Sequence, residues 1–389
     1  MKICFFKNSS GNFNPNAGGV QRITRVLVDE FQKMGIEVLL LSMPDFKSTI
    51  NYESNEFCLP SGSLNSPENI NFIKKLINQE KIEILINQSG IEPDSLKFIK
   101  IIRGYVKIIS AHHNCISCLY ERYPEIFKYN RNPILTKLIS DLKLWGLVKY
   151  LFRLRQKFIW RKMIKISDAI VLYFDSFEKE LYDLTGISTK KTHIISNPSP
   201  FLPKLRTESL INKRIVYVGR IIENQKRIDI LMELWKRLHD NFENWNFDMV
   251  GEGPYLETAK KFAKQNDLNR INFYGMRDPL TFWDESDIFT LTSDFEGYGM
   301  VLIEAQSRGT VPVTFNCFSA ISEVVENNKS GIILKKNTVE EAYKTVKNLM
   351  ENSDEILKMR KEGVLHVEKF DKKLIANQWL NLFKKITEI

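Results

Sequence analysis

Short apolar runs alternate along this chain with stretches whose apolar residues recur every three or four positions. The run at residues 2–6 predicts a first strand, and the apolar spacing of residues 23–31 predicts the helix that follows it. The same alternation predicts further strands at residues 36–42, 82–87, 106–110, 168–172 and 193–196. Helices are predicted between them at residues 67–79, 91–102 and 177–185. Apolar strands that alternate with amphipathic helices indicate a parallel sheet covered on both faces.

A proline-rich stretch at residues 197–203 divides the chain, because neither a helix nor a strand continues readily through it. Beyond it, strands are predicted at residues 214–218, 247–250, 271–274, 288–292, 310–315 and 332–334. Helices are predicted at residues 228–238, 255–265, 339–353 and 355–369, and from Met300 to a left-handed cap at Gly309. The 389 residues therefore predict two doubly wound α/β domains, 1–200 and 201–370, followed by a terminal helix within 371–389.

The most informative stretch, residues 293–312, places a glycine-rich loop between a strand and a helix, with an acid on either side of that loop. Glu296 precedes the helix and Glu304 lies one to two turns inside it, with seven residues between them. Backbone N–H groups at such a helix N-terminus bind phosphate, and carboxylates accept hydrogen bonds from hydroxyl groups. The stretch therefore predicts a nucleotide-sugar site, in which the expected loop and helix contacts are Gly297, Tyr298, Gly299, Met300 and Val301.

Other candidate groups follow predicted strands, at the sheet edge where open parallel sheets bind their ligands. His112 and His113 come directly after the strand at residues 106–110. Arg220 follows the strand at residues 214–218, and Lys226 stands just before the next helix. A cation at a helix N-terminus opposes the helix dipole, which favours a ligand-binding role for this pair over a role as surface charge.

Together these motifs resemble those of the family 4 glycosyltransferases. The resemblance rests on the E-x7-E stretch, on Gly-Arg at 219–220 followed by Lys226, and on Gly-Glu-Gly-Pro at 251–254. It implies the GT-B fold, in which two Rossmann-like domains face each other across a cleft. It also implies that the first domain binds the acceptor, that the second binds the donor, and that the last helix crosses back onto the first domain.

The resemblance also implies roles for individual residues of the second domain. Arg220 and Lys226 bind the donor diphosphate and stabilise its charge as it departs. Glu304 holds the ribose hydroxyls, and Glu296 binds hydroxyls of the donor sugar. No Asp-x-Asp motif stands in a suitable place for a metal, and two cations supply positive charge instead, so we expect no metal or other cofactor.

In the first domain the resemblance implies one histidine and one glycine in the site. His113 is expected to reach the donor sugar, because it is followed by Asn114 as in the family pattern, although a shift of one residue to His112 stays open. Gly19, the second of a glycine pair at the start of the first helix, lets this domain approach the donor phosphate. The pair is not a G-x-G-x-x-G motif, so no nicotinamide dinucleotide site is indicated.

The resemblance thus implies an enzyme of the kind found in bacterial surface-polysaccharide or lipopolysaccharide synthesis. It would move a sugar from a nucleotide-sugar donor, UDP-linked, to a saccharide or lipid-linked acceptor with retention of anomeric configuration. Two alternatives stay open: a nucleotide-sugar 2-epimerase, and a non-catalytic membrane-associated protein that binds a sugar nucleotide. Product analysis in the absence of acceptor would distinguish the epimerase from a transferase. The intact set of donor motifs argues against the non-catalytic protein.

Charge is concentrated in one segment. The whole chain carries a net charge of +9, while residues 128–165 contain eleven basic residues and one acid, so the rest of the chain is close to neutral. The apolar residues from Asn130 to Ile166 interleave with these charges at helical intervals, which predicts a long helix. This helix is either a packed helix with a solvated basic face or a helix that binds an anionic membrane, with Trp145 and Trp160 as anchors. No nucleic-acid motif accompanies the charge, so no nucleic-acid partner is expected.

The N-terminus and the cysteines bear on location. The first apolar run is too short for a signal-peptide core, and no run of 18 apolar residues is present. The five scattered cysteines are expected to be free thiols, with Cys115 and Cys118 as a weak candidate for a redox pair or half a zinc site. These features predict a cytoplasmic protein, peripheral on the inner face of the cell membrane if the basic segment binds lipid.

Overall fold

The computed structural model describes residues 1–10, 13–15, 18–45, 54–117, 139–206 and 211–387. The chain divides into two compact units. The first comprises Met1–Pro198 together with Lys372–Ile389, and the second comprises Ser199–Asp371. Each unit is built on one sheet in which every pair of neighbouring strands is parallel, so the prediction of two doubly wound parallel-sheet domains is confirmed.

The first unit has a seven-stranded sheet in the order β3-β2-β1-β4-β5-β6-β7. Its strands are β1 Lys2–Ser10, β2 Glu37–Met43, β3 Glu56–Cys58, β4 Ile84–Asn87, β5 Lys107–Ala111, β6 Ala169–Leu172 and β7 Thr192–Ile194. The helices that cover it are α1 Gly19–Lys33, α2 Pro67–Glu80, α3 Pro93–Ile102, α4 Trp145–Ile166 and α5 Asp175–Thr185. Most residues of the central strands are fully buried, as both faces of a covered parallel sheet require.

The second unit has a six-stranded sheet in the order β10-β9-β8-β11-β12-β13, which matches the order of the first six strands of the other sheet. Its strands are β8 Arg214–Val218, β9 Asn246–Val250, β10 Ile271–Gly275, β11 Ile288–Leu291, β12 Val311–Phe315 and β13 Ile332–Leu334. Its helices are α6 Glu223–Lys226, α7 Ile228–His239, α8 Leu256–Gln265, α9 Leu280–Glu285, α10 Met300–Ser307, α11 Ile321–Val324, α12 Val339–Glu351 and α13 Ser353–His366. Arg360 of α13 forms a fully buried ion pair with Asp287, at 2.7 Å, beneath this sheet.

The last helix, α14 Lys372–Thr387, packs on α1 of the first unit. Its Phe383 ring meets Phe31 edge to face at 5.4 Å, and Phe31 stacks in turn on Phe5 of β1 at 6.3 Å. At the start of the helix, the Lys372 ammonium lies 3.2 Å from the buried Glu30 carboxylate. The terminal helix is therefore part of the hydrophobic core around β1.

Three features of the first unit differ from the sequence predictions. In the described part of the segment, the predicted long helix begins at Trp145, while residues 130–138 lie outside the described residues. The edge strand β3 was not predicted, because its three residues begin with the charged Glu56 and form no apolar run. Cys115 is disulfide-bonded, which corrects the expectation of five free thiols, and Cys118 lies outside the described residues. Cys4, Cys58 and Cys317 form no disulfide.

Candidate functional site

The strand order of the second unit creates a switch point between β8 and β11. From β8 the chain proceeds outward to β9 and β10, whereas from β11 it proceeds in the opposite direction to β12 and β13. Loops that leave neighbouring parallel strands in opposite directions open a crevice at the carboxyl end of the sheet, where such folds bind ligands. The loop after β8 carries Arg220 and Lys226, and the loop after β11 carries Glu296. Three of the predicted donor-binding residues therefore belong to the two loops that border this crevice.

The loop after β8 is held in place by glycines of the loop after β9. A Cβ atom on Gly251 would lie 1.9 Å from the carbonyl oxygen of Gly219, and one on Gly253 would lie 2.3 Å from that of Ile221. The close approach is fixed by a hydrogen bond that the Ile221 N–H donates to the Glu252 carbonyl, at 2.8 Å. The Gly-Glu-Gly motif thus positions the segment that carries Arg220, whose exposed side chain donates to the Gln225 amide oxygen at 2.9 Å.

Lys226 and Glu296 form an ion pair across the two loops. The Lys226 ammonium donates to the Glu296 carboxylate at 2.5 Å, and the two side chains are only 10% and 11% exposed. The neighbouring Arg227 takes a different course and pairs with Asp229 at 2.9 Å and Asp294 at 3.4 Å. Of the two adjacent cations, Lys226 is therefore the one that reaches the acid of the E-x7-E motif.

Backbone contacts hold the two loops together around this pair. The Thr292 hydroxyl donates to the Lys226 carbonyl at 3.0 Å, and the Asp294 N–H donates to the Gln225 carbonyl at 2.8 Å. The Gln225 amide donates to the Phe295 carbonyl at 3.2 Å. Because these bonds fix the main chain on both sides, the Lys226 and Glu296 side chains project from rigidly positioned loops.

The glycine loop leads into α10 as predicted. Gly299 has a φ of 75° and stands directly before Met300, the first residue of the helix. A Cβ atom on Gly299 would meet the Phe318 ring at 3.0 Å, so both its conformation and its surroundings favour glycine. Glu304 is buried on this helix, Tyr298 is buried before it, and Gly297, Met300 and Val301 are half-buried.

A buried tyrosine lies close to the ion pair. The Tyr217 hydroxyl donates to the Arg220 carbonyl at 2.8 Å. Burial raises the pKa of Tyr217 well above its usual value, and the nearby Glu296 carboxylate raises it further. The phenol therefore stays protonated and continues to support the Arg220 loop at neutral pH.

In the first unit the two histidines after β5 have different surroundings. His112 is 3% exposed and meets Trp160 edge to face at 4.7 Å, and burial lowers its pKa to about 4. His113 keeps part of its surface exposed, and its Nδ1 lies 2.7 Å from the hydroxyl of Tyr173. Burial of the His113 ring, together with the neighbouring His112, lowers its pKa to about 3. Both imidazoles are therefore neutral at pH 7, and only that of His113 is accessible.

Gly19 is the first residue of α1, the helix that follows β1. Within the described part of the chain, a Cβ atom added to it would meet no atom within 4 Å other than those of its immediate chain neighbours. Gly19 and His113 belong to the first unit, while the other predicted site residues belong to the second.

Sequence reasoning identified the charged residues of this site but missed several groups that support them. Gln225 and Thr292 were not singled out, because their contacts join loops that are far apart in the sequence. Tyr217 was not singled out because it lies within an apolar strand, although its contact with Arg220 is local. The Gly-Glu-Gly motif at 251–253 was the available signal for the support of the Arg220 loop. Among the described residues, no group of three or more His, Cys, Asp or Glu side chains is arranged to hold a metal ion.

Two family models together match most of the chain. The model described as Glycosyltransferase Family 4 matches residues 17–199, and the one described as Glycosyl transferases group 1 matches residues 204–365. An uncharacterised glycosyltransferase of Haemophilus influenzae is 26% identical over 386 residues, covering 97% of this chain and 98% of its own length. The O-antigen biosynthesis glycosyltransferase WbnH of Escherichia coli is 24% identical over 70% of this chain and 69% of its own length.

Solved structures resemble the whole chain in fold. The lipopolysaccharide outer core galactosyltransferase WaaB matches with a TM-score of 0.70 at 16% identity, over 99% of this chain and all of its own. The Anabaena protein Alr3699/HepE, solved in complex with UDP, matches with a TM-score of 0.70 at 14% identity, again over 99% of this chain and all of its own. At these identities the likeness establishes the shared two-domain architecture.

Proposed function

Because the chain belongs to the family 4 glycosyltransferases of the GT-B fold, we propose that it transfers a hexose from a UDP-linked donor to a saccharide or lipid-linked acceptor, with retention of anomeric configuration. The observation that carries this proposal is the pairing of Lys226 with Glu296 at the switch point of the second unit, at 2.5 Å. A buried cation and acid in such a crevice suit a ligand that combines a diphosphate with sugar hydroxyls. Relatives named for O-antigen biosynthesis support a role in surface-polysaccharide synthesis.

Each donor-site residue has a role in this proposal. Lys226 and Arg220 bind the diphosphate and stabilise its charge as it leaves, aided by the N-terminus of α10 with Gly297, Tyr298, Gly299, Met300 and Val301. Glu304 accepts hydrogen bonds from the ribose hydroxyls, and Glu296 from the donor sugar. The clustering of these residues on two linked loops and one helix supports the assignment.

For the first unit we propose that the neutral His113 contacts the donor sugar and that Gly19 lets the backbone approach the donor phosphate. The hydrogen bond between His113 and the Tyr173 hydroxyl supports the choice of His113, because it limits the movement of the ring. His113→Ala should lower turnover by roughly tenfold or more while UDP affinity stays unchanged. His112→Ala is the matched comparison, and a loss of turnover confined to that variant would transfer the role to His112.

The direct test is a thermal-shift screen of nucleotide sugars followed by product analysis. A donor present at 100 times its dissociation constant stabilises the protein by about 2.7 kcal/mol. Lys226→Ala should lower turnover on that donor about a hundredfold. Product from donor and acceptor with the donor's anomeric configuration would support retaining transfer, whereas inversion would reject retention. Conversion of the donor sugar without acceptor would identify a 2-epimerase instead.

We propose that the transfer requires no metal ion. Mg²⁺ is normally held by one or two carboxylates together with the substrate phosphates, and in this proposal Lys226 and Arg220 supply the positive charge instead. Full activity should therefore survive an excess of EDTA. Activity that EDTA abolishes and Mg²⁺ or Mn²⁺ restores would overturn this proposal and identify a metal as the charge-stabilising group.

We also propose that the enzyme works at the inner face of the cell membrane, where a lipid-linked acceptor is available. The concentration of eleven basic residues and one acid within residues 128–165 supports a peripheral attachment to anionic lipid. Among the described residues, no helix is both long enough and apolar enough to cross a bilayer. Attachment through a surface would thus be the relevant mode for this part of the chain.

A further inference from the structure

Helix α4 carries two apolar stripes on opposite sides. The inner stripe packs into the first unit and includes Trp160 and Met163, both fully buried. The outer stripe consists of Leu147, Leu151, Leu154 and Phe158, which recur at intervals of four, three and four residues. At 3.6 residues per turn these four side chains fall within about 60° of one another, on the side of the helix opposite the inner stripe.

The outer stripe is exposed to solvent. Leu147 is 53% exposed, Leu151 is 54% exposed and Phe158 is 69% exposed, and Leu154 between them is half-buried. Tyr150, beside the stripe, is 58% exposed. Scattered exposed apolar residues are ordinary, but a continuous row along three turns of one helix indicates a surface that contacts something else. The sequence pattern alone did not separate the two stripes, and Trp160, predicted as a membrane anchor, belongs to the inner one.

The stripe is flanked by positive charge. Helix α4 contains no Asp or Glu and seven basic residues: Lys149, Arg153, Arg155, Lys157, Arg161, Lys162 and Lys165. On the helical wheel Arg155 and Lys162 lie within about 80° of the stripe on one side, and Lys165 continues its line toward the C-terminus. These three side chains are exposed, so their charges are available to a partner.

We propose that this surface, the outer stripe together with Arg155, Lys162 and Lys165, docks onto an anionic lipid bilayer. An interfacial helix inserts an apolar side by about 5–10 Å while basic residues at its border attract acidic headgroups. A second copy of this chain suits the surface poorly, because a two-fold contact would bring Arg155, Lys162 and Lys165 close to the same three residues of the other copy. Nucleic acid would match the charge but not the leucine row.

This inference rests on the proposed membrane location and assigns it to one surface. Two of the basic residues are unsuitable for a test. The Arg161 guanidinium donates to the Thr185 carbonyl at 2.7 Å, and that of Arg153 donates to the Asp183 carbonyl at 3.4 Å, at the end of α5. Their replacement would disturb the packing of α4 on α5 and would confuse a loss of binding with a loss of structure.

The test compares three triple variants by co-sedimentation with vesicles. The apolar variant carries Leu147→Ser, Leu151→Ser and Phe158→Ser, and the basic variant carries Arg155→Gln, Lys162→Gln and Lys165→Gln. The control variant makes the same kinds of change on α13 of the second unit, where the residues are also exposed. Its substitutions are Lys358→Gln, Lys361→Gln and Leu365→Ser. UDP binding by each variant verifies that the donor unit is intact.

Vesicles of equal parts phosphatidylglycerol and phosphatidylcholine should bind the wild type at 0.1 M salt, and vesicles of phosphatidylcholine alone should not. Each basic residue near an anionic surface strengthens binding about fivefold, so the basic variant should bind on the order of a hundredfold more weakly. The apolar variant should lose at least about tenfold, and the control variant should bind like the wild type. Raising the salt to about 1 M, where the screening length is near 3 Å, should release the wild type.

The outcomes separate this inference from the proposal on which it rests. Failure of the wild type to bind any vesicle would reject the membrane location itself. Wild-type binding that the apolar and basic variants retain would reject the α4 surface alone. Wild-type binding that is as strong to neutral as to anionic vesicles would show that charge does not contribute to membrane binding. A wild-type dimer that the apolar variant dissociates would identify a second copy as the occupant. None of these measurements uses transfer activity, so their results do not depend on the assignment of the donor site.

Discussion

Replacing Glu296 by glutamine should strengthen the binding of bare UDP while it weakens catalysis. Lys226 has two anionic partners in the proposed cycle, the Glu296 carboxylate when the site is empty and the donor diphosphate when it is filled. In the structure the ammonium donates to the carboxylate at 2.5 Å, with both side chains largely buried. UDP must therefore displace Glu296 from Lys226, and it must do so against the repulsion between the carboxylate and its own phosphates.

The magnitude follows from the strength of the bond that is exchanged. Hydrogen bonds to charged groups contribute about 1.5–3 kcal/mol, which corresponds to a change of about tenfold to a hundredfold in affinity. Glu296→Gln keeps an acceptor for Lys226 but removes the negative charge. We therefore expect UDP to bind about tenfold more tightly and the ligand-free protein to lose about 1–3 kcal/mol of stability. Turnover should decrease because the amide is a poorer acceptor for the hydroxyls of the donor sugar.

Isothermal titration calorimetry with UDP, together with urea unfolding in the absence of ligand, measures both effects. Asp294→Asn is the matched control, since it removes one negative charge from the same loop but affects a partner of Arg227 at 3.4 Å. That variant should leave UDP affinity within about twofold of the wild type. If Glu296→Gln bound UDP no more tightly than the wild type, or if Asp294→Asn strengthened binding equally, the exchange of partners at Lys226 would be refuted.

Three further predictions concern other parts of the structure. Glu304→Gln should weaken UDP and UDP-sugar equally, by about tenfold or more in calorimetry, whereas a loss confined to the sugar nucleotide would contradict its ribose role. In Gly251→Ala the new Cβ atom would lie 1.9 Å from the Gly219 carbonyl oxygen, so the free energy of unfolding in urea should fall by about 1–3 kcal/mol and UDP should bind more weakly. Gly104→Ala is the control, because its Cβ atom would meet no described neighbour within 4 Å, and it should change neither quantity. Burial lowers the pKa of His112 to about 4 from an ordinary value of 6.5, so between those pH values the unfolded chain binds more protons and stability falls as pH falls. When the pH falls from 7 to 5, the free energy of unfolding of His112→Leu should therefore decrease by about 2 kcal/mol less than that of the wild type. Equal decreases in the two proteins would show that other groups cause the acid sensitivity.

The fold could be predicted from the sequence because buried strands and surface helices each have a characteristic spacing of apolar residues. Apolar runs such as the one in β11 are buried on both faces, and amphipathic helices such as α7 bury one side, so both types stand out from their neighbours. Short elements that lack a continuous apolar run gave no such signal. The strand β3 begins with the charged Glu56 and has three residues, and the helix α9 has six residues, which is less than two turns.

Helix α4 shows a second limit of periodicity. A helix with one apolar side has apolar residues every three or four positions, but α4 has two such sides, so the spacing of its apolar residues does not mark a single buried side. The buried Trp160 and the exposed Phe158 are two residues apart, and composition gives no reason to place one inside and the other outside. Only the packing of α4 against the sheet, with Trp160 on His112 at 4.7 Å, separates the two stripes.

The candidate site was readable in its parts but not in its pairings. The types and spacing of Arg220, Lys226, Glu296 and Glu304 pointed to a donor with phosphates and hydroxyls. Which cation meets which acid depends on a contact between residues 70 positions apart, and no local rule distinguishes Lys226 from Arg227. Arg227, with a φ of 48°, stands directly before α7 as its N-cap residue, and its side chain pairs with Asp229 of that helix. Lys226, at the end of α6, is then the cation left to meet Glu296, so the local backbone between two short helices decides the charge arrangement of the site.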